Sequence, residues 1–140
     1  MKVKHSSKIL HWLDNGCYPG YVMFSCGFSY DEIMKLLKKK KAKHWIIGIS
    51  DDKTFIDKGN YFGLHRIISN KKTGKEVNLY YIIIKDRFTF TDYEYCKLAH
   101  EILHICNFFL KDILDRDKEF EAEAYYHTHI MTQCLKILRS

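Results

Sequence analysis

Apolar positions along the chain come in two rhythms. The first part carries short runs of strand length separated by polar turns, whereas the last third repeats every three or four positions. KILHWLD (8–14) predicts a short helix, stopped by the turn-forming NG and YPG that follow. YVMFSCGF (21–28) predicts a buried strand. Ser29 and Glu32 have the spacing of a capping box, which opens a helix over DEIMKLLKKKK. HWIIGIS (44–50) predicts a second strand, and DDKTFIDKGN a loop. YFGLHRIIS and VNLYYIIIKD flank the turn NKKTGK as the arms of a hairpin.

Beyond the hairpin the spacing becomes helical. Thr91 and Glu94 suggest another capping box, opening TDYEYCKLAHEILHICNFFLKDIL. Asp115-Arg116-Asp117 marks a break, and KEFEAEAYYHTHIMTQCLKILR forms a last helix. The expected fold is α+β, a single domain over residues 1–140: an N-terminal helix and a small, mostly antiparallel sheet, then two long C-terminal helices.

Composition agrees with a folded globule, since 46% of the residues are apolar and only one is proline. No apolar run approaches the ~20 residues of a membrane helix. MKVKHSSKILHW lacks the apolar stretch of a secretory signal, so a cytoplasmic location is expected. Five cysteines (17, 26, 96, 106 and 134) form no CxxC pair, which suits reduced, mostly buried thiols. The net charge of +6 is concentrated in KLLKKKKAKH, with Lys35 and His44 at its ends, and in NKKTGK (70–75). No base-reading motif accompanies either run, so solvated basic ends are expected; the Lys35 to His44 segment leaves nucleic acid open as a partner.

Candidate chemistry lies in LAHEILHICNFF (98–109). His100 and His104, four apart on one helix face, can both aim an imidazole at one zinc ion. Glu101 lies about 100° around the helix, where it can take a proton from a water at the metal and pass it to a leaving amine. With eight histidines and seven glutamates in 140 residues, chance gives the pentapeptide with odds of about one in fifty. Its mid-helix position and the Glu-rich helix that follows strengthen it.

A third ligand would come from Glu119, Glu121 or Glu123. On a helical wheel, Phe120, Ala124, His127, Met131, Cys134, Leu135 and Leu138 make one stripe. Glu121 falls about 90° to one side of it, Glu123 about 70° to the other, and Glu119 about 110° away. A ligand reaching a partly buried metal should flank the stripe, so Glu121 or Glu123 is preferred on geometry.

HEILH followed by a glutamate on the next helix resembles the gluzincin type of HExxH zinc metallopeptidase. Glu121-Ala122-Glu123-Ala124-Tyr125 resembles the E-x-x-A-[YN] element of small phage-encoded proteins classed as metallopeptidases, and HICNFFL their H-x-x-N-[FY]-x-L. A more distant likeness is to the ImmA/IrrE-like peptidases, whose E-x-E-A-N-x-F can also be laid from Glu119. The resemblance covers about residues 89–135. It implies Zn2+ held by His100, His104 and Glu121, with Glu101 as base and a peptide or protein substrate, in a host cytoplasm.

Other residues have plainer readings. Tyr125 and Tyr126 suit the core or its rim, with Tyr125 the candidate for a phenol that meets an oxyanion. His127 suits a satisfied core position, His129 a polar face, and Asn107 a hydrogen bond near the site. The strand VNLYYIIIK is the expected edge for an extended peptide. Two functions follow: a zinc-dependent peptidase, or an inert zinc-stabilised binding protein in which a further ligand such as His127 or His129 closes the coordination.

Overall fold

The computed structural model describes residues 4–16, 20–69, 72–110 and 120–140, without the side chains of 109, 110, 120 and 121. Its elements are β1 (Ile9–Leu13), β2 (Tyr21–Cys26), α1 (Tyr30–Lys39), α2 (Lys43–Ser50), α3 (Lys53–Lys58), β3 (Tyr61–Ser69), β4 (Glu76–Ile84), α4 (Asp92–Leu110) and α5 (Phe120–Arg139). The fold is α+β, with a four-stranded mixed sheet in the order β1-β2-β4-β3. The β1–β2 and β3–β4 pairs are antiparallel, and the β2–β4 pair is parallel.

The sheet is covered on both faces. Met23, Leu79, Tyr81 and Ile83 pack with Ile33 and Leu37 of α1, Trp45 and Ile49 of α2, and Ile56 of α3. On the opposite face Val22, Phe24, Tyr80, Ile82 and Ile84 meet Leu98, Ile102, Ile105 and Cys106 of α4 and Tyr126, Ile130, Cys134 and Leu138 of α5. The continuous run NLYYIII is thereby explained: β4 is central, and both its faces need apolar side chains.

Three local expectations are corrected. Residues 8–14 do not form an N-terminal helix; Ile9–Leu13 is strand β1, at one edge of the sheet. Its buried ends, Ile9 and Leu13, are four apart, a spacing that suits one helical turn and two strand repeats equally. The expected strand at 44–50 is helix α2, which buries Trp45, Gly48 and Ile49 at helical spacing despite its β-branched residues. Within the expected loop, Lys53–Lys58 is helix α3. Just before it, buried Asp52 accepts a two-pronged hydrogen bond from the Arg66 guanidinium of β3.

Capping accounts for two helix starts. Ser29 and Glu32 form the full reciprocal box of α1. At α4, Thr91 Oγ1 accepts from the Glu94 backbone at 3.2 Å, but the Glu94 carboxylate accepts instead from the Tyr61 and Thr89 hydroxyls. The packed face of α5 is centred on Tyr126, Ile130, Cys134 and Leu138, about 70° around the helix from the stripe expected. No helix among the described residues is long and apolar enough to cross a membrane. Cys26, Cys106 and Cys134 are buried and free, Cys96 is exposed and free, and Cys17 lies outside the described residues.

Candidate metal centre

Helix α4 lies across the sheet with one flank against β3. The contact is close because Gly63 of β3 has no side chain: a Cβ there would overlap the carbonyl oxygen of Glu101 and lie 3.0 and 3.2 Å from its carbonyl carbon and Cα. Along the same flank the Tyr61 hydroxyl meets Glu94, and the His65 ring lies 5.9 Å from that of Phe108. Positions 61, 63 and 65 share one strand face, so β3 tracks α4 from its start to beyond the HExxH segment.

His100 is exposed and His104 half-buried, and their Nε2 atoms stand 3.0 Å apart, rings nearly perpendicular. Glu101 is buried, and its Oε2 has no hydrogen-bond partner among the described residues. Ligand atoms of the three side chains fall within 4.8 Å of one another. Burial pushes the Glu101 carboxyl above its ordinary value, opposed by the nearby His104, His100 and Lys97.

This donor set fits zinc. Two imidazole nitrogens each about 2.05 Å from a tetrahedral ion would stand about 3.3 Å apart, a few tenths of an ångström wider than the 3.0 Å seen. Zinc would require both Nε2 lone pairs to face the ion, with the ring protons on Nδ1. An orphaned buried carboxylate oxygen is also costly without a compensating cation or proton.

The other candidates are distributed as follows. The backbone of Glu121 belongs to α5 but its side chain lies outside the described residues, as does Glu119 altogether. Glu123 is half-buried and near Cys106, whose thiol its charge helps to raise, and it is not grouped with the histidines. Tyr125 is 72% exposed, whereas Tyr126 is buried and donates to Asn15 Oδ1 at 2.6 Å. His127 Nε2 pairs with the Ala99 carbonyl at 3.1 Å and His129 Nε2 with that of Asp14 at 2.9 Å.

Sequence reasoning missed His65. Its ring stacks on Tyr80 at 4.4 Å, its Nε2 lies 3.0 Å from Asn78 Oδ1, and Phe108 separates it from His104. Strand alternation put it on the face of Gly63; only the docking of α4 onto that face reveals its relevance. The expected peptide-holding edge is also corrected: β4 is interior and β3 is the edge strand beside α4. No protein-family profile, curated protein or solved structure matches the chain.

Proposed function

We propose that this chain is a minimal zincin-like peptidase, with His100 and His104 holding Zn2+, Glu101 acting as general base, and a third ligand from α5. That ligand is Glu121 by the resemblance and Glu123 by the observed packed face, which centres on position 123 and leaves position 121 about 160° away. The observation that carries the reading is the pair of Nε2 atoms 3.0 Å apart beside a buried carboxylate oxygen without a partner among the described residues. Zinc, when bound, supplies a Lewis acid that polarises a scissile carbonyl. Glu101 takes the proton of the attacking water and returns it to the departing amine. Its burial favours that role by making the carboxylate more basic.

The surroundings support a peptide substrate. Strand β3 has no strand partner on its outer side among the described residues, so its backbone groups can pair with an extended peptide. His65 and Phe108 form a surface between that edge and His104. Tyr125, exposed on α5, is the candidate phenol for the oxyanion. The inert alternative needs another protein ligand, and the bonds of His127 and His129 to backbone carbonyls favour an open position instead. The resemblance to phage proteins points to a host cytoplasm as the setting.

Metal content of untagged protein tests the site, and cleavage of a peptide pool read by mass spectrometry tests the chemistry. Wild type and Glu101→Gln are expected to hold one zinc per chain, and His104→Ala almost none. One of Glu121→Gln and Glu123→Gln should weaken zinc binding at least about tenfold, which identifies the third ligand. Failure of the wild type to bind added zinc would sink the proposal. Zinc-loaded Glu101→Gln should cleave nothing that the wild type cleaves; equal turnover would remove Glu101 from its role.

A further inference from the structure

The basic segment 35–44 is folded against Val77 and Leu79 of β4, the strand that follows Lys75. Segment 35–44 holds six lysines and no carboxylate, equal to the whole chain's net charge of +6. It forms the end of α1 and the start of α2. Between that corner and the sheet is a recess of about 430 Å³, floored by Trp45, Val77 and Leu79, walled by Tyr21 and rimmed by Lys41, Lys43 and His44. Among the described residues no carboxylate lines it. By contrast, the recess beside Tyr61 mixes Lys85 and Arg87 with Asp86 and Glu94. Lys75 of the hairpin turn precedes Val77 by two residues, within about 7 Å along extended chain.

The charges here are uncommitted and the rings accessible. Lys38, Lys39, Lys41, Lys43 and Lys75 make no ion pair with a carboxylate among the described residues. Tyr21 is 59% exposed. Trp12, more than a third exposed, stands edge-on to Trp45 at 6.0 Å, with Lys40 Nζ 5.2 Å from its ring centre. The nearest carboxylate on the hairpin is Glu76, at the first position of β4.

We propose that this surface binds single-stranded nucleic acid, with a base in the recess against Tyr21 and backbone phosphates on the lysines of the corner and the hairpin. Cations spaced around an aromatic-walled recess match a ligand that alternates flat rings and anions. A duplex keeps its bases stacked and offers no free ring face to such a recess. A bilayer surface would instead meet apolar side chains that protrude on a helical face.

The test is fluorescence anisotropy of a labelled oligothymidylate of about 15 nucleotides at stepped salt concentrations. If three to four phosphates are neutralised, log Kd should rise with log salt at a slope of about 2–3. Lys43→Glu/Lys75→Glu should weaken binding at least about tenfold and lower that slope by at least about one. Glu at the first position of α2 suits the helix dipole, so Lys43→Glu leaves the fold intact. Tyr21→Ala should weaken binding about five- to a hundredfold without changing the slope, while Tyr21→Phe binds like wild type. Equal melting temperatures would show that the variants are folded. Equal affinity for duplex, indifference to Tyr21→Ala, or binding to phosphatidylserine vesicles with none to the oligonucleotide would overturn the proposal.

Discussion

Gly63→Ala tests the docking of the HExxH helix, because a single methyl must enter the gap between β3 and α4. The Cβ would lie 3.0 Å from the carbonyl carbon of Glu101, whereas carbon atoms rest at about 3.5–4.0 Å. Helix α4 must therefore move away by about 0.5–1 Å, and no side chain can swing aside since the obstacle is backbone. Overpacking of this kind costs about 1–3 kcal/mol. Against it stands a gain of about 0.5–1 kcal/mol, because alanine loses less chain entropy than glycine in a strand. The net expectation is a loss of about 1–2 kcal/mol in urea unfolding.

Gly48→Ala is the internal control, since it makes the same chemical change where the obstacle differs. Its Cβ would meet the Leu79 Cδ1 at 3.3 Å, a methyl that can shift by a few tenths of an ångström. Alanine gains about 1 kcal/mol over glycine inside a helix, so this variant should be neutral or slightly more stable. Both histidines ride on α4, so Gly63→Ala should keep its zinc. Catalysis is another matter: a displacement near 1 Å between the base and a peptide held on β3 can lower kcat/KM by about a hundredfold. Gly63→Ala that unfolds within about 0.5 kcal/mol of wild type, or a larger loss in Gly48→Ala, would refute the close-contact argument.

Two further outcomes follow from burial. Thiol labelling of the native protein should modify Cys96 quickly and spare Cys26, Cys106 and Cys134 until denaturant is added, because burial lifts all three thiols, that of Cys106 to about 12; early mass-shifted peptides containing Cys134 would contradict the packing of α5. Burial, and then the bond to Glu94, also raises the Tyr61 phenol, so the folded state holds its proton more tightly than the unfolded one. The resulting stability is complete below the unfolded value of about 10 and is lost as pH climbs beyond it. Tyr61→Phe should therefore be less stable than wild type at pH 8, with the gap narrowing in alkali; a constant gap would refute the linkage.

What the sequence made legible was whatever is encoded within a turn or two of chain. The Ser29–Glu32 box, the NKKTGK hairpin and the long helical periodicity of α4 carry their own local signals, and the paired histidines need only one helix to be read. Segments 8–14 and 44–50 failed for a local reason as well. Four-residue spacing is ambiguous in β1, and isoleucines that favour strands sit in α2, where packing against β3 and β4 decides. Strand order required a different use of the same information. A run apolar on consecutive positions, as in NLYYIII, must be buried on both faces, which makes β4 central. The partly polar YFGLHRIIS is then the arm left at the edge, with Gly63 and His65 on one face. From that ordering the edge beside α4 is β3, and the glycine becomes the natural seat for a helix backbone. The meeting of segment 35–44 with Val77 and Leu79 lies a step further. It depends on α2 folding back over the start of β4, and no periodicity within either segment encodes that contact.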